Sequence, residues 1–222
     1  MWQRERGVML MVRVMVVVCL SLLGTAARAE IIRIVAVGDS SFRGGPSMAN
    51  PNDAFPARLQ AALRDKGYDV AVTNAGVNGE KSWETLRRLN TAVPAGTQIA
   101  LLAVGGNDMV YQHAGRQQVM GRIEEIVEAL RARRMEVLVF RLGGHGSAEA
   151  AAAETQELRE LGAVVMPPMQ AGLIDRKDLH VETTWQPQTT LWHLNRAGND
   201  IVVSRTLPEI EKMIARVRSG GS

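Results

Sequence analysis

Ser40, Gly79, Asn107 and His193 are the residues of this sequence whose types and positions could do chemistry together. Ser40 ends the stretch IIRIVAVGDS, in which the apolar run Ile31–Val37 stops at Gly38-Asp39-Ser40. Such a run reads as a buried strand, and its glycine permits a sharp bend before a serine at the strand's carboxyl end. Asn107 follows a second apolar run, Gln98–Val104, in Gly105-Gly106-Asn107-Asp108. Gly79 closes Asn74-Ala75-Gly76-Val77-Asn78-Gly79 after a third strand, and His193 lies in LWHLNRAGND just before the last helix. These are the parts of an acyl-transfer site: a serine nucleophile, a histidine that takes and returns its proton, and N–H donors for an oxyanion. The backbone N–H groups of Ser40 and Gly79 and the Asn107 amide would supply those donors.

The elements that must position these groups alternate regularly. Strands are expected at Ile31–Val37, Asp69–Thr73, Gln98–Val104, Glu136–Leu142 and near Val164–Met166. Helices are expected from Asp53 to Gly67, Ser82 to Asn90, Gln117 to Arg134, through the alanine-rich stretch to Leu161, and from Arg196 to Val217. Ser41–Asn52 reads as a loop, and residues 169–192 as loop with one short helix. Phe55, Leu59 and Leu63 recur at fourfold spacing, the stripe that packs a helix on a sheet. This alternation predicts one domain with a parallel sheet covered by helices on both faces. In such sheets, ligands collect beyond the carboxyl ends of the strands.

The first 29 of 222 residues read as a secretory signal peptide. Arg4, Arg6 and Arg13 precede the apolar run Val14–Leu23, and Ala27-Arg28-Ala29 is a small-x-small cleavage site. Cys19, the only cysteine, falls within that run, so a mature chain from Glu30 has no disulfide. The leader holds four arginines and Glu5, leaving 22 basic and 22 acidic residues in positions 30–222. That balance gives no electrostatic case for a nucleic acid or an anionic membrane. No later apolar run reaches spanning length, and the destination expected is the periplasm or the medium.

In these four blocks the sequence resembles the SGNH hydrolases, the GDSL esterase/lipase family. The blocks are Gly38-Asp39-Ser40, Asn74–Gly79, Gly105–Asp108, and His193-Leu194-Asn195 with Gly198. DAFPARLQAALRDKGYDVAVTNAGVNG looks especially like the secreted arylesterase, acyl-CoA thioesterase and lysophospholipase branch. The resemblance implies a flavodoxin-like three-layer α/β/α fold with about five strands. It implies Ser40 as nucleophile, Gly79 and Asn107 as oxyanion donors and His193 as base, with no metal or cofactor. The substrate expected is a small acyl ester or thioester; the oligomeric state is left open.

One position departs from the family pattern. Thr190 stands where the family has an aspartate three residues before the histidine. Three accounts compete: a main-chain carbonyl or the Thr190 hydroxyl orients His193; Asp175, Asp178 or Glu182 reaches in; or the site only binds. O-deacetylation of a polysaccharide is the rival activity. A dinucleotide-binding domain is disfavoured, because no GxGxxG follows the first strand. Asp39 reads as a brace for its turn, His145 as part of a substrate-side loop in Gly143–Gly146, and His113 and His180 as exposed loop residues. The histidine spacing suggests no metal site.

Overall fold

Strand β1 (Ile32–Gly38) lies inside a five-stranded parallel sheet, between β2 (Val70–Gly76) and β3 (Ile99–Ala103). Strands β4 (Glu136–Phe140) and β5 (Val164–Met166) extend the β3 side, giving the order β2-β1-β3-β4-β5. The computed structural model describes residues 30–45, 47–143, 147–181 and 193–220. The leader expected at residues 1–29 lies outside them.

Alternation along β1 explains the three layers. Ile32, Ile34 and Ala36 face one side, where they pack with helices α2 (Phe55–Asp65) and α7 (Arg196–Arg218) through Leu59, Leu63, Val203, Ile210 and Ile214. Val35 and Val37 face the other side, against α3 (Ser82–Ala92), α5 (Arg116–Ala132) and α6 (Ala148–Glu160) through Leu89, Ile123, Ile126, Leu130 and Leu158. Both faces are dry, so β3 and β4 are buried at every residue. This is the pattern of parallel strands covered on two sides.

Two short helices replace expected loops. Helix α1 (Ser40–Arg43) begins at the serine, and α4 (Gly106–Tyr111) begins beside Asn107. The Asp39 carboxylate caps α1 by accepting from Ser41 N–H at 2.8 Å. Phe42 anchors α1 below: with Phe55 and Phe140 it forms a ring cluster with centroids 5.5–6.0 Å apart. These are the chain's only phenylalanines, and all three are buried in the core that α1 packs against. Asp53, expected to start α2, sits in a 3-10 turn (Pro51–Asp53), and the helix begins at Phe55.

Because β1 and β3 are neighbours while the chain leaves β1 toward β2, the sheet changes direction between them. That switch point opens a crevice at the carboxyl edge. Gly38 makes the close approach possible there: φ is +148°, and a Cβ would stand 2.0 Å from the Ala103 carbonyl oxygen. The same oxygen accepts from Asp39 N–H at 3.0 Å. Among the described residues, no helix is long and apolar enough to cross a membrane.

Candidate active site

The crevice is a cleft of about 720 Å³ whose lining includes Ser40, Gly79, Asn107 and His193. Four separate segments thus meet at one place. Ser40 arrives on the first turn of α1. Gly79 arrives on the turn after β2, with φ +76°. Asn107 arrives on α4, after Gly105 turns the chain with φ +107°.

His193 is placed by a two-stranded ribbon that the sequence pattern does not signal. Val181 N–H donates to His193 O and Asn195 N–H to Leu179 O, both at 2.9 Å, around a bridge between His180 and Leu194. Asn195 then caps α7 by accepting from Gly198 N–H at 3.1 Å. Its amide donates to the Asp178 and His180 carbonyls at 2.8 and 3.2 Å. The ribbon buries His180 at 5% exposure, against the expectation of an exposed residue. Its Nδ1 lies 2.7 Å from the Arg176 carbonyl, so Nδ1 carries the hydrogen, while Nε2 is buried without a partner among the described residues.

Burial pushes the His193 imidazole below its ordinary pKa, and the charge of His180 adds to that. Two expected orienting acids do not reach it. Asp178 is exposed and held by Arg176 at 2.9 and 2.7 Å, which also keeps its carboxyl below the usual range. Asp175 is exposed as well. Glu182, Thr190 and His145 lie outside the described residues.

The amide of Asn107 donates one hydrogen to the Glu80 carbonyl at 2.9 Å, which leaves its second for the cleft. Asp108 beside it is fully buried, accepting from Ser82 N–H at 2.8 Å, Ser82 Oγ at 2.6 Å and Arg122 at 3.1 Å. This ties the Asn107 segment to the start of α3. Cleft walls beyond the polar groups are apolar: Met109, Val110 and Tyr111 come from α4, and Phe140, Leu142, Met169 and Ile174 from β4 and the segments after it and after β5. Met169 is core as well as wall. Among the described residues, no cluster of acids, histidines or cysteines could hold a metal ion.

Asp39 braces its turn, as expected, at a cost in stability. Burial, with smaller contributions from the Glu80 and Asp108 charges, outweighs the Ser41 hydrogen bonds and pushes its carboxyl up to about 6. An acid weakened by folding is no burden below its unfolded value of 3.8. The burden grows between 3.8 and 6 and is complete above, at about 3 kcal/mol when each pKa unit is worth about 1.4 kcal/mol. Asp39→Asn keeps the acceptor for Ser41 and removes the charge. Its melting temperature should exceed that of the wild type by roughly 5–10 °C at pH 8 and match it near pH 4. Equal melting temperatures at pH 8 would show that the ionised carboxylate is well accommodated.

Comparison with known proteins agrees with this architecture. The family model described as "GDSL-like Lipase/Acylhydrolase family" matches residues 36–201. No curated protein matches the chain by sequence. Among solved structures, the psychrotrophic esterase EstA from Pseudoalteromonas sp. is similar at a TM-score of 0.66 and 16% identity, over 82% of this chain and 98% of that one. AlinE4, described as an SGNH-hydrolase family esterase, is similar at 0.59 and 24% identity, over 84% and 98%. A carbohydrate acetylesterase family member from Sinorhizobium meliloti is similar at 0.61 and 19% identity, over 83% and 100%. At these identities the likeness is one of fold.

Proposed function

The chain belongs to the GDSL-like lipase/acylhydrolase family, and we propose that it is an exported serine esterase acting on small acyl esters or thioesters. The observation that carries this reading is the convergence of Ser40, Gly79, Asn107 and His193 on one cleft. Ser40 Oγ attacks the acyl carbonyl while His193 takes its proton. The oxyanion is held by the N–H groups of Ser40 and Gly79 and by the free Asn107 amide hydrogen. His193 then protonates the leaving alcohol or thiol, and water releases the acyl group by the same route. Export follows from the leader expected at residues 1–29: secreted protein should begin near Glu30, which N-terminal sequencing checks.

Two measurements test the enzyme. A fluorophosphonate should label the chain once, on the peptide containing Ser40; EstA, similar in fold, has a structure inhibited by monoethylphosphonate. Absence of labelling on folded protein would leave a binding protein that keeps the pocket. The apolar walls favour some acyl length, since each buried methylene contributes up to about 0.8 kcal/mol, or fourfold. For p-nitrophenyl esters, kcat/KM should rise from acetyl to hexanoyl and be lower for palmitoyl, because the sequence Gly143-Gly144-His145-Gly146 carries no bulky apolar side chain to favour a long one. Fastest cleavage of the palmitoyl ester would contradict this.

A second reading, O-deacetylation of a polysaccharide, draws on one further feature. A groove of about 520 Å³ shares Asn78 and Gly79 with the cleft and is lined by Lys81, Trp83, Glu84 and Arg87. Trp83, with the Arg87 guanidinium stacked 5.5 Å from its ring centroid, and the polar groups around it suit a sugar on the alcohol side of the ester. Acetate release from acetylated xylan that falls in Trp83→Ala, with p-nitrophenyl acetate unaffected, would favour it.

A further inference from the structure

The turn that presents Gly79 and the amide of Asn107 are both tied to Glu80, a residue that is not part of the cleft lining. Glu80 is 5% exposed, and its carboxylate accepts from Thr85 Oγ1 at 2.7 Å and, through both oxygens, from Arg88 Nε and Nη2. Arg88 Nη2 also donates to the Ala75 carbonyl at 2.7 Å and lies 3.4 Å from the Gly38 carbonyl. Gly38 O in turn accepts from Val77 N–H at 2.9 Å, at the start of the Gly79 turn. The main chain of Glu80 does the rest, since its carbonyl takes the first hydrogen of the Asn107 amide.

We propose that Arg88 is a positioning residue for the oxyanion hole. One guanidinium on α3 joins the end of β1, which delivers Ser40, to the end of β2, which delivers Gly79. Through Glu80 it also sets the direction in which Asn107 offers its second hydrogen. Five donors in a fixed planar fork suit a group that must satisfy two carboxylate oxygens and a carbonyl at once. Lysine would keep the charge opposite Glu80 without that geometry. The inference rests on the reading of Gly79 and Asn107 as oxyanion donors, so the test separates the two.

The experiment is a double-mutant cycle on p-nitrophenyl butyrate with wild type, Arg88→Lys, Asn107→Ala and the double variant, folding being checked by circular dichroism and melting. Losing an oxyanion donor typically costs about 10²–10³ in kcat, and Asn107→Ala should fall in that range. A displaced donor costs less: Arg88→Lys should lower kcat about 30-fold and leave KM within about twofold, because the interaction acts on the transition state. The double variant should lose clearly less than the product of the two single losses, since the part of the Arg88 effect that acts through Asn107 cannot add to its removal, while the part that acts through the Gly79 turn persists. The inhibition constant of a boronic acid, which forms a tetrahedral adduct on serine, should weaken by the same factor as kcat in Arg88→Lys. Should Arg88→Lys fail to fold, Thr85→Val removes one hydrogen bond to the same carboxylate, and kcat should fall about threefold at constant KM.

An unchanged kcat in Arg88→Lys, a loss borne by KM, or losses that simply multiply in the double variant would overturn the proposal. Full activity in Asn107→Ala would overturn the donor assignment beneath it, whatever Arg88→Lys does.

Discussion

Replacing His193 with alanine should lower kcat/KM for p-nitrophenyl butyrate about 10³-fold and leave the fold intact, since a positioned base contributes about 10²–10⁴. Replacing Ser40 should cost at least as much. Among the described residues, His193 is the only imidazole lining the cleft. Its environment also predicts how the rate depends on pH. Burial and then the His180 charge hold its pKa below 6.5, and no carboxylate among the described residues raises it. A lowered pKa keeps the neutral, proton-accepting form present in more acidic solution. The rate is therefore lost only as pH falls through that lowered value. The acid limb of kcat/KM should have its midpoint below 6.5. A midpoint at or above 7 would instead mean that a carboxylate such as Glu182 stabilises the imidazolium. With Asp178 held by Arg176 and Asp175 exposed, Thr190→Ala and Glu182→Gln are the variants that separate the remaining accounts of the missing aspartate. Under an orienting main-chain carbonyl, neither should change turnover by more than about twofold.

Much of the fold, and the convergence of Ser40, Gly79, Asn107 and His193 on one candidate site, are legible in the sequence, and the reason is local. A buried strand that ends in Gly38-Asp39-Ser40 states its own direction and its own bend. The glycines before Asn107 do the same for β3, and the alternation of strands with helices leaves one sheet topology class open. What the sequence hides is contact between distant segments. Nothing near Arg88 signals that its partner is Glu80, across the start of α3, or that it reaches the carbonyls of β1 and β2. His180 has the sequence surroundings of a loop residue, because its burial comes from pairing 179–181 with 193–195. Asp178 is different, since Arg176 two residues earlier offers a counter-charge in the sequence itself. Asp39 is the brace its position suggests, but only its burial shows that the brace is strained by charge.

Gly45 is one glycine among several in a polar loop, with nothing in the sequence to single it out, and it carries the second large expectation. Its φ is +73°, and a Cβ built there would stand 2.6 Å from Cγ, 2.8 Å from Cδ2 and 2.8 Å from Nδ1 of His193. The imidazole therefore lies against the glycine, and the missing side chain is what gives the ring its place. Gly45→Ala imposes two penalties. Backbone strain at positive φ costs about 1 kcal/mol. Displacement of the ring is the heavier one, because misplacing a reacting group by about 1 Å can cost about 10² in rate. Gly67 separates the two: it has φ +84°, follows α2, and has nothing within 4 Å of a built Cβ. Gly67→Ala should share the loss of stability and keep full turnover, whereas Gly45→Ala should lose about a hundredfold in kcat and label with fluorophosphonate correspondingly slowly. Equal turnover in the two variants would mean that the ring can move aside without leaving the serine, and that His193 is held by the 193–195 ribbon alone.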